Sequence, residues 1–165
     1  MGRRRAAIVG GAALALLLAA PPASAAEDAG LARLALCRDS WLDWKTDPAR
    51  IKTFGDRFHG AFTRNGNDPY FVPKSDVSVA GLRVLEAFPD SVGMGVGFSL
   101  LVDAPFGKAR AIVEHELGKP LGKCDASDGM HACELDIADK RTVTLMAQDN
   151  MPGKTLVGCY YYYEK

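Results

Sequence analysis

The chain lacks most of the patterns that announce chemistry. It has no CxxC, no HExxH, no GxSxG and no glycine loop followed by a phosphate-binding lysine. Its three histidines, His59, His115 and His131, fall in separate stretches, so no ligand pair has metal spacing. Charge of one sign is missing too: Lys and Arg total 20 against 20 Asp and Glu, with no basic stripe. Nucleic acid is therefore excluded as a partner, since phosphate neutralisation needs clustered cations. The charge is also too even, and the apolar content too high, for a disordered chain. On these grounds no catalytic residue, metal ligand or cofactor is assigned. A hydrolytic site would have to assemble in space from histidines or carboxylates that the sequence keeps apart.

Past the N-terminus no apolar run reaches the length of about 20 residues that a membrane span needs. The one run that comes close lies at the start. Arg3, Arg4 and Arg5 precede an apolar stretch over 6–20, then Pro21 and Pro22, then the small residues Ala23, Ser24 and Ala25. That layout predicts a secretory signal over 1–25, cut after Ala25. No cysteine follows the cut, so no lipid anchor is expected there. The mature chain, 26–165, is expected to be one soluble domain of the periplasm or outside the cell. Losing three arginines leaves it mildly acidic, with 17 basic against 20 acidic side chains.

Cysteine is scarce as well, and all four, Cys37, Cys124, Cys133 and Cys159, lie in the mature part. In an oxidising compartment an even count reads as two disulfides. Of three pairings, Cys124–Cys133 is the local one, which leaves Cys37 for Cys159. Loop entropy assigns about 2.5–3 kcal/mol to the short bridge and nearly 5 to the long one.

Periodicity supplies the rest. Leu34, Cys37, Trp41 and Trp44 share one face of a predicted helix over "LARLALCRDSWLDWK". Asp47 and Pro48 open a second helix whose inner stripe is Ile51, Phe54, Phe58 and Phe62. "TRNGNDPYFVPKSD" reads as a loop that carries Tyr70 and Phe71. Strands follow at "LRVLEAF" and "MGVGFSLLVD". The second alternates an apolar face (Met94, Val96, Phe98, Leu100, Val102) with a glycine-serine face (Gly95, Gly97, Ser99). Glycine there implies that another backbone, of a helix or a partner, comes close. A third helix runs from Pro105 to its Gly118 stop; on it Glu114, His115 and Glu116 fan out instead of converging. "LGKCDASDGMHAC" reads as a disulfide loop without the ligand spacing of a calcium site.

Strands at "CELDIA", "TVTLMAQ" and "TLVGCYYYY" finish the chain. In the last, Cys159, Tyr161 and Tyr163 share one side, and Tyr160 and Tyr162 the other. The expected fold is α+β in ααββαβββ order, with helices on an antiparallel sheet of about five strands. The expected function is a non-enzymatic, exported protein-binding domain, an inhibitor or immunity protein whose partner is an envelope protein or toxin. Tyr70, Phe71, Tyr160 and Tyr162 are its contact rings. The acidic balance points to a basic partner, and a second copy of the chain is a further candidate. The alternatives are a carrier of a small apolar ligand and a small hydrolase assembled only in the fold.

Overall fold

The computed structural model of the chain describes residues 26–41, 46–89, 96–138 and 140–161. The leader, Trp44, Met94, Gly95, Tyr162 and Tyr163 lie outside the described residues. The fold is α+β, with two disulfides. In chain order it runs β1 (Ala26–Glu27), α1 (Ala29–Ala35), α2 (Pro48–Ala61), β2 (Phe62–Arg64), β3 (Phe71–Pro73), β4 (Val77–Val79), β5 (Leu82–Pro89) and β6 (Val96–Val102). Then come α3 (Phe106–Leu117), β7 (Lys123–Ser127), β8 (Met130–Ala138), β9 (Arg141–Gln148) and β10 (Thr155–Tyr161).

The sheet is twice as wide as expected. Ten strands among the described residues join one sheet, ordered β1-β4-β5-β6-β10-β9-β8-β7, with β2 and β3 as a side branch on β5. All described pairings are antiparallel except β1 with β4. The surplus strands are short and sit where the sequence reads as loop. The Asn65-Gly66 segment closes a hairpin between β2 and β3, so Phe71 belongs to a strand. Asp128 and Gly129, both at positive φ, make the hairpin turn that turns the supposed disulfide loop into β7 and β8. Ala80 and Gly81 do the same between β4 and β5.

The predicted first helix is also shorter. Asp28 caps α1 through Oδ1, and the helix stops at Leu36. Cys37 follows at φ 55, a left-handed conformation no helix continues. Cys37 and Trp41 are nonetheless buried, as their spacing implied.

The last strand is central. β10 lies between β6 and β9 and presents Val157, Cys159 and Tyr161 to the core, beside Phe98, Leu100, Val143 and Leu145. α1 and α3 contribute Leu31, Leu34, Ala109 and Val113 to the same core. Cys37 bonds Cys159 across 122 residues of chain, and Cys124 bonds its strand partner Cys133.

On the other face the small residues have a specific cause. A Cβ on Gly97 would overlap the carbonyl oxygen of Cys159, and one on Gly158 would lie 2.6 Å from Ser99 Cβ. The backbone that comes close is therefore the neighbouring strand itself. The Ser99 hydroxyl, wholly buried in this contact, has no hydrogen-bond partner among the described residues. A buried unsatisfied hydroxyl costs about 1–3 kcal/mol. Ser99→Ala should thus be neutral or stabilising in urea unfolding, whereas Gly97→Ala should destabilise by about 1–3 kcal/mol through overpacking.

Candidate functional site

A concave surface walled by aromatic rings lies between α2 and the β2–β3 hairpin. Asp47 opens α2 by accepting from the backbone of Ala49 and Arg50, and Pro48 sets the first turn. The stripe Ile51, Phe54, Phe58 then faces the hairpin. Phe58 stacks on Phe62 at 4.7 Å and meets Phe71 edge-on at 5.1 Å. Phe54 stacks on Phe58 at 5.2 Å and meets Trp41 edge-on at 5.0 Å. Trp41 continues the chain of rings to Phe98 on the central sheet, at 5.7 Å. Such ring pairs add about 0.5–1.5 kcal/mol each beyond area burial.

These rings wall an open cleft of ≈ 520 Å³, lined by Trp41, Ile51, Phe54, Phe58 and Phe71 with Pro69 and Pro89. His59 and Arg64 stand at its edge. Arg64 donates to the Asp68 carbonyl at 3.1 Å, and Lys74 donates to the His59 carbonyl at 2.6 Å. Neither cation meets a carboxylate among the described residues. The segment 47–74 that builds the cleft carries five Lys or Arg against three Asp. A second hollow of ≈ 480 Å³ lies on the other flank of α2, lined by Asp39, Arg50, Thr53, Phe54 and Arg57. Phe54 is the one aromatic in its lining among the described residues.

The four residues expected to form the contact surface do not come together. Phe71 lies in the cleft, half-buried. Tyr70 folds back: its hydroxyl accepts from Asn65 Nδ2 at 2.7 Å and its ring lies 5.8 Å from Phe88. Tyr160 is not an outward ring. It is 8 % exposed, set in register between Gly97 and Thr142 in the middle of the sheet. Tyr162 lies outside the described residues. Tyr161 faces the core, and its hydroxyl accepts from the Trp41 backbone N–H at 2.5 Å and donates to the Asp39 carbonyl at 3.2 Å.

Sequence reasoning missed Arg64, Pro69 and the cleft as such. The available signal was Asn65-Gly66 between Phe62 and Phe71, a strong hairpin mark that would have set β2 against β3.

The histidines stay in separate surroundings. His59 packs against Phe58 and Phe71, His115 is exposed near the end of α3, and His131 pairs with Asp149 at 3.3 Å. Among the described residues no group of three His, Cys, Asp or Glu is placed to hold a metal ion. No described helix is long and apolar enough to cross a membrane. A scan against protein-family models finds no match, and neither curated proteins nor solved structures give one.

The acidic side chains of α3 act structurally. Glu116 pairs with Arg38. Glu114 Oε1 accepts from Arg110 at 2.8 Å and from the Leu121 backbone at 3.0 Å. The Arg110 guanidinium first, and the Leu121 N–H second, hold its carboxyl below the ordinary range. A depressed folded value contributes stability above the unfolded glutamate value of about 4.3 and loses it as pH falls through the folded one. Glu114→Gln should therefore be less stable than the parent at pH 7, with the gap narrowing below about pH 4. Urea midpoints across that range check this. Tyr161→Phe keeps the ring and removes two hydrogen bonds, and should lower stability by about 1–3 kcal/mol in the same assay.

Proposed function

We propose that the protein is exported and works as a non-enzymatic binding domain, of the inhibitor or immunity-protein kind, for a protein of the cell envelope. The partner seats an apolar side chain flanked by carboxylates in the cleft between α2 and the β2–β3 hairpin. One observation carries this reading: an aromatic-walled cleft, open to solvent, whose edge cation Arg64 meets no carboxylate among the described residues. Aromatic anchors desolvate well at interfaces, and edge charges steer partners of opposite sign. The local charge thus favours an acidic surface even though the mature chain as a whole is acidic. The signal-like N-terminus and two disulfides support an oxidising compartment.

The cleft volume also lies within the range of about 300–1,000 Å³ typical of small-ligand pockets, which favours the apolar-carrier reading second. A photo-crosslinking amino acid in place of the exposed His59 separates the two in cells. The expected result is one discrete adduct with an acidic protein, lost in Phe71→Ala and weakened at high salt, where screening shortens to about 3 Å. A cleft that yields no protein adduct, in a protein whose organic extract carries a stoichiometric lipid, would overturn the protein-binding reading.

A further inference from the structure

α2 carries a glycine in its interior that the fold itself does not require. Gly55 sits midway along Pro48–Ala61. Glycine inside a helix is destabilising relative to alanine, because it has more backbone freedom to lose. A left-handed backbone or a crowded neighbour would account for it. Gly55 is not among the glycines at positive φ. Its own helix backbone aside, no atom of the described residues lies within 4 Å of where a Cβ would stand. Gly97 and Gly158 differ in this respect, since the next strand leaves them no room for a methyl group.

What Gly55 faces is the cleft. Ile51, Gly55 and His59 are spaced four apart, so they form one row along α2, and all three line the cleft. Gly55 is a notch in that row, with Phe54 and Phe58 beside it. A side chain there would stand in the open space; without one, a guest reaches the helix backbone. The walls indicate the guest. Trp41, Phe54, Phe58 and Phe71 offer ring faces and edges, and ring pairing favours an aromatic guest over an aliphatic one. At the rim, Arg64 meets no carboxylate among the described residues, which favours a guest that brings one. We propose that Gly55 is the specificity-determining residue of the cleft, and that it admits an aromatic side chain adjoining an acidic residue of the partner protein. This inference rests on the protein-binding reading above and deepens it.

The test is an amide NMR titration of the disulfide-bonded protein with a capped dipeptide, tryptophanyl-glutamate. The expected result is saturable shifts at Gly55, His59 and Arg64. Leucyl-glutamate and tryptophanyl-lysine, capped alike, should each bind at least about threefold more weakly. Gly55→Ala should weaken tryptophanyl-glutamate about tenfold, read at His59 and Arg64, and Gly55→Leu should abolish its binding. Both variants should keep a urea midpoint equal to or above the parent's, because alanine and leucine are better helix formers than glycine. Gly60, on the same helix, also meets nothing at its Cβ position but is not among the residues that line the cleft. Gly60→Ala should raise the urea midpoint and leave binding unchanged. Undiminished binding by Gly55→Leu would overturn the role of the glycine. Equal binding of leucyl-glutamate would overturn the aromatic guest, and equal binding of tryptophanyl-lysine the acidic neighbour. No shift at the cleft with any of the three would overturn the inference as a whole. The adduct at position 59 in cells then decides separately whether the protein-binding reading falls with it.

Discussion

The Cys37–Cys159 bond is the constraint on which the rest of the structure depends. It joins the end of the first helix to the middle of the central strand, across 122 residues of chain. Both cysteines are buried, and one of them sits in a left-handed backbone conformation that costs a non-glycine residue about 1–2 kcal/mol. The segment after it is fastened in the same place. Arg38 and Asp39 donate their N–H groups back to the Arg33 carbonyl, and the Arg33 guanidinium binds the Asp39 carboxylate. Tyr161, two residues beyond Cys159, then holds Trp41 and Asp39 by hydrogen bonds. Sulfur and hydroxyl thus fix one turn of chain at two points on the same strand.

That turn is what makes the cleft. Trp41 rests on Phe98 of the sheet on one side and on Phe54 of α2 on the other. α2 itself buries only Phe54 and Phe58, so its position depends on the rings it meets more than on breadth of contact. A sheet strand positions a tryptophan, the tryptophan positions a helix, and the helix forms one wall of the cleft. The hairpin opposite adds Phe71 and Arg64, which meets no carboxylate among the described residues. The chemistry open to such a surface is recognition: apolar contact in the middle, charge at the edge.

Much of this was legible in the sequence, where local rules and tertiary context agree. Asp47-Pro48 marks the start of α2, Gly118 marks the stop of α3, and strict alternation marks β6 and β10. The disulfide pairing followed from taking the local pair first. The first helix ends early because the bridge draws Cys37 out of helical geometry, a demand that comes from a residue 122 positions away. The short strands escaped because their hairpin turns lie inside stretches dense in loop-forming residues. Tyr160 escaped for another reason. Alternation gives the side of a strand and does not say whether that side is open. Here the facing residue is Gly97, in a strand pressed so close that a methyl group would not fit. The sign of charge at the cleft was hidden by the whole-chain balance, since an even total of 20 basic and 20 acidic side chains contains a cationic segment.

The central claim is that the long bridge, far more than the short one, holds the body together. Its most direct test is equilibrium unfolding of residues 26–165 with Cys37 and Cys159 both replaced by alanine, beside the matching replacement of Cys124 and Cys133. The account predicts a loss of about 5 kcal/mol or outright unfolding for the first pair, and roughly half that for the second. Equal losses, or a larger loss from the short bridge, would contradict it.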